Sequence, residues 1–104
     1  MPRSTIRDQE KCPITFALDC FGDKWSLLIL RDIAFKQKRY YSEFLSAPEG
    51  IATNVLADRL LKLDAAGMLS KCKDPNNSAK FIYRLTHKSR DLLPVLLEMI
   101  AWSA

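Results

Sequence analysis

Residues 42–67 restrict this chain more than any other stretch. Phe44 and Leu45 form a short apolar patch, Pro48 and Gly50 interrupt it, and Leu56, Leu60 and Leu63 then recur at helical spacing as far as Gly67. Ser42 is a good N-cap for a small helix over 42–47, and Pro48 with Gly50 punctuates a turn. The leucines predict a longer helix over 52–66 with one buried face, which Gly67 stops. Asn54, Asp58, Leu61, Lys62 and Ala65 fall on its opposite face. A short helix, a tight turn and a longer helix ending in glycine form the helix-turn-helix pattern.

The flanking segments complete a domain around it. Residues 69–73 and 80–85 alternate in polarity on either side of the turn formers 74–78, so they read as a β-hairpin. A hairpin directly after a helix-turn-helix is the wing arrangement. Upstream, Pro13 suits a first helical turn and Ile14, Ala17, Leu18 and Phe21 predict a helix over 13–21 that Gly22 ends. Asp23 caps a second helix over 24–35. There Trp25, Leu28, Ile29 and Ile33 form an apolar stripe, and Leu27, Leu30 and Ala34 widen it. Lys36 to Arg39 make a basic connection, and Tyr40 and Tyr41 begin a very short strand.

Thr86 caps a last helix over 87–102, bent at Pro94, that is apolar almost all round. One small domain cannot cover such a helix on every side, so its cover is the same helix of a second copy, with Leu93, Leu96, Leu97, Ile100 and Trp102 at the interface. The alternative is a helix packed wholly within one monomer. The expected fold is mainly α with a small β-hairpin wing: a winged helix-turn-helix, dimeric through its terminal helices. Residues 1–11 are polar and read as a mobile N-terminal arm, and 12–104 as the domain.

Charge and cysteine content narrow the function. Lys and Arg number 16 against 12 Asp and Glu, a net +4 that favours an anionic partner, either nucleic acid or an anionic membrane surface. The first residues lack the apolar centre of a secretory signal, and Trp25 to Phe35 is too short to span a bilayer. A cytoplasmic protein with no membrane role is expected. Cys12, Cys20 and Cys72 are an odd, sparse set rather than a disulfide framework, and with no CxxC pair and His87 as the one histidine, neither metal nor cofactor is expected. One histidine among Lys88 and Arg90, no Gly-rich phosphate loop and no paired carboxylates argue against an enzyme.

The placement of charge favours double-stranded DNA. Residues 71–90 carry six positive side chains against Asp74 alone, and Lys36, Lys38 and Arg39 precede the helix-turn-helix. These clusters bracket the helix suited to a major groove. Thr53 and Asn54 lead it and are the expected base readers; Asn bonds adenine in a bidentate way. Asp58 either accepts from cytosine N4 or holds Arg59 or Lys62 in a surface ion pair. Arg59 contacts phosphate or braces the helix. Lys38, Arg39, Ser42 and Lys80 are candidate backbone contacts, and Asn76 and Asn77, with Ser78, either touch DNA at the wing tip or simply make the turn. The rival function is a winged-helix protein-interaction module with Leu61 in the contact.

The ordered set resembles the HxlR-type family of bacterial winged-helix transcriptional regulators. The residues that carry it are Cys12-Pro13-Ile14 with Ala17-Leu18; Gly22-Asp23-Lys24-Trp25 with Leu28-Ile29-Leu30-Arg31; Phe44; Gly50-Ile51 with Leu56, Arg59-Leu60, Leu63 and Gly67; and Tyr83-Arg84-Leu85-Thr86 with Leu92-Leu93-Pro94-Val95-Leu96 and Trp102. The resemblance implies a homodimer on an inverted repeat near a promoter, and a cysteine at the Cys12 position that senses a small electrophile or oxidant. A thiol at a helix N-terminus beside Lys11 has an enlarged thiolate fraction; the other reading is a buried Cys12 acting as a small apolar residue. Two positions depart from the family: Ala52 stands where Ser is common at the recognition-helix N-cap, so that Thr53 is expected to cap one residue later, and Ser89 stands where Gly is common.

Overall fold

A computed structural model of the chain describes residues 12–104; the expected arm, 1–11, lies outside the described residues. The order is α1 (Pro13–Phe21), α2 (Lys24–Lys36), α3 (Tyr41–Leu45), α4 (Thr53–Ala65), β1 (Leu69–Asp74), β2 (Asn77–Leu85), α5 (His87–Arg90) and α6 (Leu93–Ser103). The fold is mainly helical with one antiparallel hairpin, β1–β2.

The buried cluster is built from Ile29, Leu30 and Ile33 of α2, Phe44 of α3, Ile51, the Leu56–Leu60–Leu63 stripe of α4, Met68, Leu69, Tyr83 and Leu92. The Tyr83 ring meets Phe44 edge-on at 6.1 Å, which fixes the hairpin against α3. Gly67, at φ +76, makes the left-handed turn that ends α4. Gly22 is required for a different reason: a Cβ there would lie 2.6 Å from the Leu18 carbonyl oxygen, so only glycine lets the chain close this tightly onto the last turn of α1.

Several boundaries differ from expectation. Ser42 is not a cap. The Glu43 carboxylate accepts from the backbone N–H groups of Arg39 (2.7 Å) and Tyr40 (3.0 Å), so α3 starts at Tyr41 with Tyr40 as its N-cap. Tyr40 and Tyr41 therefore form no strand; one hydrogen bond, from the Tyr83 N–H to the Arg39 carbonyl at 2.9 Å, ties this segment to β2. Lys36 belongs to α2, which ends at Gln37 in the left-handed conformation, φ 56. Ala52 remains the N-cap of α4 with no side-chain cap bond, and Thr53 is already helical, so the expected shift of the cap to Thr53 does not occur.

The last helix is broken rather than bent. Pro94 has no N–H to give to the Arg90 carbonyl; instead Leu92 N–H bonds Ser89 O and Val95 N–H bonds Leu92 O, both tight i→i−3 links. Thr86 does cap α5, and Ser89, buried at its third position, returns a hydroxyl to the Thr86 N–H at 2.8 Å. In the hairpin both strands run up to a two-residue turn, Pro75–Asn76. The register jumps from Lys73↔Phe81 to Asp74↔Asn77, leaving Ser78 to Lys80 in the offset.

Burial is uneven. α1 buries no residue, and α6 buries only Leu96. Ile14, Leu18, Leu97, Ile100 and Trp102 are all more than half exposed. α6 is thus not packed wholly within its own monomer. Of its expected interface residues, Leu96 already faces the interior of its own protomer, Leu93 is half-buried, and Leu97, Ile100 and Trp102 are open.

Candidate nucleic-acid interface

α4 presents its leading end. Thr53 and Asn54 are exposed, and their side chains make no hydrogen bond among the described residues. The Thr53 carbonyl accepts from the Tyr41 hydroxyl at 3.0 Å, which pins the start of α4 to α3. Sequence reasoning missed this role of Tyr41 because a tyrosine before a turn carries no signature of its partner.

One turn further on, the expected contacts are committed to one another. Asp58 accepts from both Arg59 and Lys62 (3.3 Å to the lysine), so the ion-pair alternative stated for Asp58 is the arrangement present. Both cations lower its pKa, Lys62 more than Arg59. Arg59 also donates its Nε–H to Asp23 at 2.8 Å. The same Asp23 oxygen caps α2, accepting from the Ser26 N–H (2.9 Å) and hydroxyl (3.0 Å). Partial burial alone would raise the Asp23 pKa, but the Arg59 and Ser26 bonds outweigh it and bring it below its ordinary value. Arg59 is therefore a brace between α4 and α2. Lys62 keeps 70% of its side chain exposed and remains available to an anion.

Lys38 and Arg39 are drawn inward. Lys38 lies 3.4 Å from the buried carboxylate of Asp32, which also holds Arg31. Arg39 donates to the carbonyls of Ile33 and Lys38. A buried carboxylate at the end of α2 must be paired, and these cations serve it and the helix end. Lys88 is engaged likewise, donating to the Ala66 carbonyl at the C-terminus of α4 (2.9 Å).

The wing keeps its positive charges outside. Lys71, Lys73 and Lys80 are exposed; Lys71 lies over the Phe81 ring and Lys80 over Tyr40, at 4.4 and 5.3 Å from the ring centroids. Asp74 holds the wing turn: its carboxylate accepts from the Asn76 N–H (2.9 Å) and the Tyr40 hydroxyl (2.8 Å), and these bonds lower its pKa. The Asn77 side chain accepts from the Ala79 N–H at 3.1 Å, so Asn76 and Asn77 do serve the turn, through backbone and side chain respectively. Ser42 is exposed in the first turn of α3, beside the cleft between α3 and β2.

Cys12 is exposed, so its buried alternative fails. It is the N-cap of α1, with its sulfur 3.2 Å from the Thr15 hydroxyl and accepting from the Thr15 N–H at 3.3 Å. These bonds, the hydroxyl first, favour the thiolate and lower the thiol pKa. Cys20 and Cys72 are also free thiols. Among the described residues no group of three His, Cys, Asp or Glu could hold a metal ion, and no helix is long and apolar enough to cross a membrane.

A helical body, a helix-turn-helix whose second helix is exposed at its leading end and a lysine-bearing two-stranded wing define a winged helix-turn-helix protein. The chain belongs to the HxlR-like helix-turn-helix family, whose model matches residues 20–104. An HTH-type transcriptional regulator of Synechocystis, sll1512, is 35% identical over 88 residues, covering 85% of this chain and 64% of the relative. The chain thus spans less than two thirds of that protein. A Bacillus subtilis HTH-type regulator, YybR, is 30% identical over 91% of this chain and 75% of its own length. The crystal structure of PA1607 superposes with a TM-score of 0.82 at 39% identity, over 94% of this chain and 67% of that one. The redox regulator HypR in its oxidised form gives 0.77 at 28%, over 88% and 93%. The reduced form of the transcriptional regulator YodB from B. subtilis gives 0.72 at 28%, over 89% and 91%. The chain is a member of a family of transcriptional regulators, and its fold is shared with the redox regulator HypR.

Proposed function

We propose that residues 12–104 act as one unit that binds double-stranded DNA as a homodimer on an inverted repeat. It regulates transcription in the cytoplasm without catalysing a reaction, and an electrophile or oxidant modulates it through Cys12. The observation that carries this reading is the free, exposed leading end of α4 beside a wing whose lysines point outward. Thr53 and Asn54 read bases, while Lys62, Lys80 and the wing lysines meet phosphate. The Asp23–Arg59–Asp58 chain holds the reading helix at a fixed tilt. Leu97, Ile100 and Trp102, with the open face of α1, join the two copies, so that paired α4 helices enter major grooves about 34 Å apart. HypR is a redox regulator and YodB has a reduced and a diamide-treated form, and the exposed, hydrogen-bonded Cys12 is the thiol here suited to such a task.

Selection of bound duplexes from a random pool, with and without an electrophile, tests this reading. The expected product is a palindrome whose affinity falls steeply with salt and whose recovery changes with electrophile in the wild type but not in Cys12→Ser. Asn54→Ala should relax base preference at one position by about 1–3 kcal/mol, and Lys80→Ala should weaken all duplexes alike. Salt-insensitive behaviour with no duplex recovered would favour a protein-interaction module instead.

A further inference from the structure

A cleft of about 260 Å³ opens where the end of α2, the base of β2 and the α5–α6 break meet. Its rim carries three arginines, Arg39, Arg84 and Arg90, and its floor is apolar, with Ile33, Leu85 and Leu93. Among the described residues no carboxylate lines it. Arg39 is held by two backbone carbonyls, whereas Arg84 and Arg90 are exposed and make no ion pair among the described residues. Three guanidiniums around one apolar hollow repel one another unless an anion joins them, and each presents a fork matched to a carboxylate or phosphate.

We infer that this cleft binds a small organic monocarboxylate with an apolar body, an aryl carboxylate of one or two rings, with the carboxylate against Arg84 and Arg90 and the ring over Ile33 and Leu93. The volume lies just under the range of drug-sized pockets and suits such a ligand. DNA backbone is the weaker occupant. No residue of α3, α4 or the wing turn lines the cleft, and Arg84 is seven residues along β2 from Asn77, on the order of 20 Å. A polyphosphate rail also has no use for an apolar floor. The cleft joins the DNA-reading body, through Arg39 and Arg84, to the last helix, through Arg90 and Leu93. A ligand bridging them would shift the setting of α6 relative to α4, a consequence that rests on the DNA-binding reading above.

The test is calorimetric titration of the whole chain, without DNA, with 2-naphthoate, benzoate, the neutral 2-naphthalenemethanol and inorganic phosphate. The expected result is saturable binding of 2-naphthoate at one per protomer, at least tenfold weaker binding of the alcohol and of phosphate, and at least tenfold loss in Arg84→Ala/Arg90→Ala. Ala34→Phe, which fills the cleft wall without altering charge, should lose naphthoate too, with circular dichroism verifying both folds. Absence of carboxylate binding to the wild type overturns the proposal. So does undiminished binding in the folded double variant, and so does phosphate matching naphthoate, which would mark an unspecific basic patch. Duplex titration of the same sample separates the two readings: binding of naphthoate without binding of DNA sinks the regulator and leaves the cleft, and the reverse sinks the cleft alone.

Discussion

The leucines of α4 and those of α6 differ in where they find cover. In α4, Leu56, Leu60 and Leu63 sit at 0–4% exposure between α2, α3 and β1. α6 is richer in apolar side chains, yet only Leu96 is buried, and Trp102 is 87% exposed. α1 resembles α6, with Ile14 at 71%. The segment from Lys24 to Leu85 supplies all of the buried cluster except Leu92, whereas α1 buries no residue and α6 only Leu96. Apolar content alone therefore does not mark the core; what marks it is whether neighbouring elements supply the opposite face.

The contrast can be broken most forcefully from the inside. Leu56→Ala empties a fully buried site in the body and should lower unfolding stability by about 2–5 kcal/mol in urea titration; a loss under about 1 kcal/mol would mean that the body is not the stable unit. Next in size, on the proposed dimeric reading, Leu97→Glu/Ile100→Glu should leave helix content intact, abolish self-association in sedimentation, and weaken binding to the proposed palindrome by about a hundredfold through loss of the paired contact. A dimer that survives this change would place the interface elsewhere. The smallest effect belongs to the body's surface. The Arg31 side-chain bonds hold the Glu49 carboxyl at about 2, below its ordinary value. The folded state therefore binds fewer protons there than the unfolded chain. Its stabilisation is present above the ordinary carboxylate range and is lost as pH falls from that range toward about 2. Glu49→Gln should flatten the acid-induced fall in melting temperature by about 1–3 °C and leave dimerisation at neutral pH unchanged.

Much of this was legible in the sequence, and the reasons differ by element. α1 matched its predicted bounds because Pro13 and Gly22 mark both ends chemically. α4 was read within a residue at each end from three leucines and Gly67, and Asp23 was recognised as a cap. α3 was misplaced because its start depends on Glu43 reaching back to two backbone donors, and Ser42 offered a more obvious but unused cap. The sequence suggests one helix bent at Pro94 rather than two, because apolar residues continue on both sides of the proline. At the site, Thr53 and Asn54 are exposed, Thr53 without the capping role expected of it, whereas Lys38 and Arg39 are drawn inward. Their attraction to Asp32 and to backbone carbonyls is a tertiary fact that linear charge clusters do not display. Tyr40 and Asp74, 34 residues apart, show the same limit.

The Asp23 carboxylate has a consequence for how this molecule can vary. One oxygen both starts α2 and steadies α4 through Arg59, so the two helices share a single joint. An asparagine there would still begin the second helix yet lose the charge that holds the guanidinium, and an alanine would release both. Drift at position 23 would thus alter how α4 is set against α2 without altering any residue of the exposed face of α4, much as moving a hinge pin changes where a door closes while the door itself stays the same.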